Sequence, residues 1–390
     1  MIYGKCSARN FKTANYFEYV RVSRLMGPHP RILIILNNEA AKARRVWPGI
    51  NSSLKKNDIQ FDCHVTTQAG DATVAARAAL REGYELIAVV GGDGTLSEAA
   101  AGFFALDEEL VSGNVPRSIN KDAVLAILPA GTGDDFARGI RGKRRSIGEW
   151  TDSLISYCRN PDKSRPVDVI YGVASEGVNR FICLNVVTIG LGAEVARRVA
   201  AQSRLTQRLP GEARFVSAAI GALAAWRERE VRILIDDDEV IECRTNLLAV
   251  ANGIYAGGGM MFAPSAEVDD GLFDVLVSRD ITRAGIMREL PRIRRGGHLA
   301  NPNVRAIQAT RVEISTTGRE NELLIEADGN VRGVTPATFL IMPAALRVAL
   351  LRTDFRFSVS PLPSHKQYSR DLPLQNDISE INRRDESWLP

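Results

Sequence analysis

Leu86-Ile87-Ala88-Val89-Val90-Gly91-Gly92-Asp93-Gly94-Thr95-Leu96-Ser97-Glu98 is the stretch whose reading decides the fold of the first half of the chain. Residues 86–90 are wholly apolar, as expected of a strand buried on both faces in a parallel sheet. Gly91, Gly92 and Gly94 let the backbone turn tightly and approach a ligand with no side chain between them. Thr95 and Glu98 match the T-x-x-E capping box, which predicts a helix whose N-terminus faces the end of the strand. Amide groups there, with the helix dipole, attract phosphate oxygens, and Asp93 in the same loop can reach a bound magnesium ion.

A second loop has the same form. The apolar run 124–128 leads into Gly131-Thr132-Gly133-Asp134-Asp135-Phe136, where Thr132 is placed to cap the next helix with Asp135 three residues on. Upstream, the pattern reads strand 32–36, helix 40–56, strand 61–66 and helix 71–82. This alternation predicts an open, mostly parallel α/β sheet, which binds ligands outside the carboxyl ends of its strands, where both glycine loops lie. Neither loop is a Walker A motif or GxGxxG, so the familiar nucleotide-binding patterns are excluded. Beyond Pro166 the texture changes to strand-like runs at 167–171, 181–187, 231–235, 247–251, 273–277, 312–315, 323–326 and 338–342. Helical patterns interrupt them at 193–201, 214–229 and 283–295. This predicts a mainly antiparallel β second domain.

These residues resemble the diacylglycerol kinase catalytic domain family of bacterial soluble lipid kinases, related to the sphingosine kinases. GGDGT stands at 91–95 and GTGDDFARG at 131–139. The match continues through Gly257-Gly258-Gly259, Pro264 and Asp269-Asp270-Gly271-Leu272-Phe273-Asp274-Val275 to Asp328-Gly329, in the family's order. The resemblance implies an NAD kinase/diacylglycerol kinase-like fold, with an α/β nucleotide-binding domain over 31–160 and a β-rich lipid-substrate domain over 161–352. Residues 1–30 are then an N-terminal extension and 353–390 a loose tail. It further implies transfer of the ATP γ-phosphate to a lipid hydroxyl, of diacylglycerol or sphingoid type, with ATP and Mg²⁺ as cofactors. Carried over by position, Thr66, Gly91, Gly92, Asp93, Gly94, Thr95, Leu96, Ser97, Gly131, Thr132 and Asp135 contact the nucleotide. Asp93, Asp135 and Asp270 form a magnesium-linked network, with Glu267 and the main-chain carbonyl of Leu272 as neighbouring metal ligands. Asp93, Asp328 and Asn330 take the catalytic positions.

Three positions depart from the family. Its Asn-Pro-x-x-Gly after the first strand is Asn37-Asn38-Glu39-Ala40-Ala41 here. Its Asn before Asp135 is Asp134, which adds a negative charge where polyphosphate is expected, a charge that an extra cation could offset. Its Asp-Gly-Glu, whose glutamate is assigned as proton acceptor, is Asp328-Gly329-Asn330, and a neutral amide is no general base. Two alternatives follow: a nucleotide- or lipid-binding regulator of the same fold that has lost turnover, and NAD kinase, which shares GGDG but lacks the second loop and the block over 264–274.

Composition limits the partners. With 390 residues, 45% hydrophobic and 25% charged, the chain is long enough for two cores. A net charge of +4 is too small to argue for nucleic acid but suits an anionic substrate or membrane surface. No apolar run approaches a membrane span, so the expected contact with a lipid surface is peripheral, on the cytoplasmic inner face. Five dispersed cysteines without a CxxC pair fit a reducing compartment. Residues 283–295, with Arg288, Arg292 and Arg294 among Ile286, Met287, Leu290 and Ile293, read as a basic amphipathic helix on anionic lipid or as a solvated face. His64 and His298 belong to no recognisable constellation, and a homodimer is compatible with all of this.

Overall fold

The computed structural model describes residues 30–107, 115–161, 164–201 and 211–350, with 211–216 described by their backbone alone. The extension expected over 1–30, except Pro30, and the tail expected over 353–390 lie outside these residues. Ile32–Leu36 (β1), Leu86–Gly91 (β3) and Val124–Pro129 (β4) are buried at every position. With Asp62–Val65 (β2) they form a parallel sheet in the order β2-β1-β3-β4. Helices α1 (Ala41–Lys56) and α2 (Asp71–Arg81) connect β1 to β2 and β2 to β3, stepping opposite ways across the sheet. Right-handed crossovers therefore put them on opposite faces. There α1 packs with α5 (Ile147–Arg159) and α2 with α3 (Asp93–Ala101). A capping box that the sequence reading overlooked opens α5: Ser146 Oγ accepts the Glu149 amide, and the Glu149 carboxylate accepts the Ser146 amide.

The rest of the chain is mainly antiparallel β. It runs through β5 (Ser164–Ala174), β6 (Asn179–Cys183), β7 (Val186–Gly190), β8 (Arg229–Ile235), β9 (Glu239–Ala251), and the short pair β10 (Tyr255–Ala256) and β11 (Met260–Met261). It continues with β12 (Phe273–Arg279), β13 (Val304–Ala309), β14 (Arg311–Thr316), β15 (Leu324–Ala327), β16 (Asn330–Val334) and β17 (Ala337–Ala349). Helices α6 (Leu191–Ala200), α7 (Gly211–Ala225) and α8 (Arg283–Ile293) lie among these strands, and α4 (Asp135–Arg141) follows β4 in the first half. The long strand β17 joins the halves: it pairs antiparallel with β14 and β5, then parallel with β4 through Arg347 and Val348. One core surrounds β1, β3 and β4 and takes in Leu346, Val348 and Leu350 from the end of the described chain. A second, built from residues such as Ile233, Val250, Val275 and Phe339, fills the β half.

Two differences from the sequence reading have physical causes. The helix expected over 214–229 stops at Ala225, and Arg229 instead opens β8, where alternate burial and pairing with β9 impose a period of two. The single strand expected over 181–187 is broken into β6 and β7. The Asp328 carboxylate takes the Leu184 and Asn185 amides at the break, at 2.7 and 3.1 Å.

Candidate active site

The two glycine loops lie main chain against main chain. A Cβ on Gly131 would stand 2.5 Å from Gly92 Cα, and one on Gly92 would stand 3.1 Å from Gly131 Cα, so only glycines allow this approach. Helix α3 starts at Asp93, two residues before the expected capping box, and has no side-chain cap. Thr95 therefore lies inside the first turn, where its Oγ1 accepts from Asn37 Nδ2 at 2.8 Å. Asn37 Oδ1 also accepts the Glu39 and Ala40 amides, so it still links β1 to this loop although the family's proline and glycine are absent. Thr132 does not cap α4 either. The cap residue is Asp134, with left-handed φ of 51°, and the hydrogen bonds come from the other loop: Asp93 Oδ2 accepts the Asp135 amide at 3.0 Å and Oδ1 accepts the Phe136 amide at 3.2 Å.

Asp93 and Asp135 form a buried acidic pair. Burial, then the charge of Asp135, pushes Asp93 up to about 7 against the two amide bonds. Asp135 is likewise raised by burial, and its Oδ2 accepts the Gly258 amide at 2.7 Å from the turn between β10 and β11. Its Oδ1 has no hydrogen-bond partner among the described residues and lies 3.8 Å from Arg138. A Cβ on Gly133 would be 3.1 Å from Asp93 Oδ2 and 3.2 Å from Asp135 Oδ2, so the two carboxylates converge on one point. Like charges this close, with an unpartnered oxygen, fit a divalent cation between protein and polyphosphate. Among the described residues no group of three or more His, Cys, Asp or Glu side chains is arranged to hold a metal. A cation held by the pair would complete its shell with phosphate and water oxygens, as magnesium does.

Asp270 is not part of this pair. The charges that act on it are Asp168 and Asp269, its Oδ1 accepts the Leu272 amide at 3.0 Å, and it does not line the cavity that Asp93 and Asp135 line. Asp274 nearby is pushed up to about 7 by burial, Asp270 and Glu267. Asp168 holds this second acidic group in place by accepting the Gly271 and Ala344 amides, each at 2.7 Å. Asp93 and Asp135 thus meet directly, whereas the direct neighbours of Asp270 are Leu272, Asp168 and Asp269, with Glu267 acting on Asp274 beside it.

The cation that Asp134 calls for is Lys42 of α1. Its Nζ is 2.6 Å from Asp134 Oδ2 and donates to Gly131 O at 2.9 Å, while Asp134 Oδ1 accepts the Gly131 amide at 2.7 Å. Arg138 and Arg144 donate to Gly133 O, at 3.2 and 2.9 Å, and Arg144 also to Thr132 O, so the carbonyls of this loop are occupied by cations. Lys42→Met is expected to weaken nucleotide binding about tenfold, because it leaves the Asp134 charge unpaired beside the loop. Lys42→Met/Asp134→Asn should restore binding to near the wild-type value. Calorimetric titration of wild type and both variants measures this, and equal affinity in Lys42→Met would remove the pair from the binding site.

A cavity of about 820 Å³ starts at Asp93, Gly133 and Asp135 and extends to an apolar region walled by Leu191, Val195, Leu223, Leu276, Ile286 and Ile293. Asp328 and Glu326 also line it, whereas Asn330 does not. Asp328, itself at a left-handed φ of 48°, has both oxygens bonded to the β6–β7 break. Asn330 Nδ2 lies 3.4 Å from where a Gly94 Cβ would stand and has no hydrogen-bond partner among the described residues. Leu96 and Ser97 are buried, with Ser97 Oγ donating to Ile182 O at 3.5 Å, so their side chains turn inward. Thr66 follows β2, donates its amide to Leu36 O at 3.0 Å and is outside the cavity lining. The sequence reading missed Glu326, which is buried, accepts the Thr188 hydroxyl on Oε2 at 2.6 Å and the Gly329 amide on Oε1, and is pushed up to about 7 by burial. Its signal was legible: Glu326 and Asp328 are two apart, while Ile325 and Ala327 between and beside them belong to the core.

Residues 31–170 match the Diacylglycerol kinase catalytic domain, and residues 185–350 match the YegS C-terminal NAD kinase beta sandwich-like domain. Together these cover more than half of the chain, which belongs to the diacylglycerol kinase catalytic domain family of lipid kinases. It is 29% identical over 288 residues to a diacylglycerol kinase of Bacillus subtilis (strain 168), covering 74% of this chain and 84% of that one. It is 28% identical over 321 residues to a "Probable lipid kinase YegS-like" of Pseudomonas aeruginosa, covering 82% and 94%. The crystal structure of a diacylglycerol kinase from Bacillus anthracis str. Sterne shares the fold, with a TM-score of 0.59 at 21% identity over 84% of this chain and 99% of that one. No helix among the described residues is long and apolar enough to cross a membrane.

Proposed function

We propose that this protein transfers the γ-phosphate of ATP to a hydroxyl of a long-chain lipid, of diacylglycerol or sphingoid type, at the surface of a membrane. The observation that carries the reading is the single cavity that joins the Asp93–Asp135 pair and its glycine loops to an apolar interior between β7 and helices α6, α7 and α8. A polar acceptor such as NAD has no use for that apolar length, which places the NAD kinase alternative second. The amides of the two loops bind and orient the phosphates, and Lys42, Arg138 and Arg144 hold the loop carbonyls away from them. Asp93 and Asp135 hold Mg²⁺, which neutralises charge on the phosphates when bound. The apolar walls exclude water, so that transfer to the lipid competes well with hydrolysis. Exposed Arg288 and Arg292 on α8 sit beside Ile286 and Ile293 of the cavity wall, which suits entry from an anionic surface.

The deciding experiment supplies labelled ATP and Mg²⁺ with vesicles carrying diacylglycerol or a sphingoid base, and in parallel with glycerol or NAD. Label in a long-chain product, and in neither soluble acceptor, is the expected result. Label in NAD would replace this reading with the NAD kinase alternative. Nucleotide binding without any transfer would favour the regulator, which Asn330 in the expected place of a base speaks for.

A further inference from the structure

The acidic side chains at the head of the cavity are held in different ways. Asp93 has both oxygens on the amides that open α4, and Asp135 is tied to Gly258 and faces Arg138. Asp328 has both oxygens on Leu184 and Asn185. Asn330 has no proton-accepting charge and stands outside the lining. Asp328 also takes the Cys183 thiol and the Ser97 hydroxyl, four donors in all, whereas Glu326 has two, the Thr188 hydroxyl and the Gly329 amide, and it too lines the cavity.

Its place is between the two ends. Through the Gly329 amide Glu326 borders the Asp328–Asn330 turn, which packs on Gly94: a Gly94 Cβ would be 3.8 Å from Asp328 O. Through Thr188 it borders the start of the apolar wall, since a Cβ on Gly192 would stand 2.9 Å from Thr188 Cβ and 3.1 Å from Leu247 Cδ1. A lipid with its chain in the apolar region and its hydroxyl toward the phosphates passes this carboxylate.

We propose that Glu326 is the general base of the transfer, taking the proton of the acceptor hydroxyl, an assignment that rests on the phosphotransfer reading above. The O–H bond breaks with its proton on a Glu326 oxygen while the hydroxyl oxygen bonds to the γ-phosphorus. The bond from that phosphorus to the β–γ bridging oxygen breaks, and ADP leaves with the electron pair. Glu326 then returns the proton to water through the cavity. Its surroundings suit a base: burial raises the carboxyl to about 7, near the operating pH, where a carboxylate both accepts and releases a proton readily. Thr188, Gly329 and the charge of Arg332 hold it down against burial, and Asp328 pushes it up. The other titratable neighbour is the Cys183 thiol, raised far above its usual range by burial. From α6, Leu191, Gly192 and Val195 line the cavity, and Glu194 is engaged by Arg197 and Arg198.

The test compares pH profiles of kcat for wild type, Glu326→Gln and Thr188→Val, with labelled ATP and vesicle-borne diacylglycerol or sphingoid base. Wild-type turnover should rise through about pH 7, the rise expected from the cited value. Glu326→Gln should lose about a hundredfold in kcat and the rise itself, with the KM for ATP nearly unchanged. Thr188→Val removes a donor to the carboxylate, so its rise should move to higher pH. This second variant decides the matter if Glu326→Gln folds poorly. An infrared pH titration of nucleotide-free protein should show one carboxyl fewer titrating near neutrality in Glu326→Gln than in wild type, where Asp93 and Asp274 are also raised to about 7. Wild-type kcat and profile in Glu326→Gln, or an unmoved rise in Thr188→Val, would overturn the assignment alone. A wild type that phosphorylates no lipid would overturn the phosphotransfer reading with it.

Discussion

Asp93→Asn is expected to abolish phosphate transfer while the protein stays folded. Asparagine keeps one oxygen for an α4 amide, whereas alanine would leave both the Asp135 and Phe136 amides without their partner, at a cost of about 1 kcal/mol in helix stability. What asparagine lacks is the charge that, with Asp135, attracts a divalent ion to the phosphates. That contribution is worth several kcal/mol of transition-state stabilisation, so turnover should fall about a thousandfold or more. The same change should alter stability with a definite sign. Asp93 ordinarily ionises near 3.8 and is raised to about 7 in the fold, so folding disfavours its charged form. Wild-type stability without divalent ions should therefore fall as pH rises from about 4 to about 7, at up to about 1.4 kcal/mol per pH unit. Asp93→Asn is spared this loss and should melt above wild type at pH 8 in a chelator, with little difference at pH 4; added Mg²⁺ should narrow the gap. Undiminished turnover would exclude Asp93 from the chemistry, and equal melting across pH would exclude its buried charge.

Gly131→Ala should damage stability and binding together. Its Cβ would meet a backbone atom, Gly92 Cα at 2.5 Å, which no rotamer change relieves, so the two loops must separate. Overpacking of this kind costs about 1–3 kcal/mol, and the displaced amides should weaken nucleotide binding more than tenfold. Gly49→Ala is the control. A Cβ at Gly49, inside α1, meets nothing within 4 Å, and alanine there should stabilise by up to about 1 kcal/mol without touching affinity. Thermal melts and calorimetric titrations of both variants provide the comparison. Normal nucleotide affinity in Gly131→Ala would mean that contact between the loops is not what positions the phosphates.

By itself the sequence determined the elements and the chemistry carried by short stretches: the apolar runs that became β1, β3 and β4, the glycines that let two loops touch, and the change to antiparallel strands after Pro166. These are legible because burial pattern and backbone freedom depend on near neighbours. The tertiary structure alone decided who partners whom. Thr95 and Thr132 looked like caps, but the α4 amides are taken by Asp93, 42 and 43 residues away. Asp134 looked unbalanced until Lys42, 92 residues away, met it. Residues 181–187 looked like one strand, yet Asp328 breaks the run from 144 residues away. Asp270 keeps its direct contacts with Leu272 and the charges of Asp168 and Asp269, while Glu326, legible only as a near neighbour of Asp328, is brought to the cavity. The reason is physical: a carboxylate's partners and its proton affinity are set by burial and by the charges and amides around it. Those surroundings exist only once distant parts of the chain have been brought together.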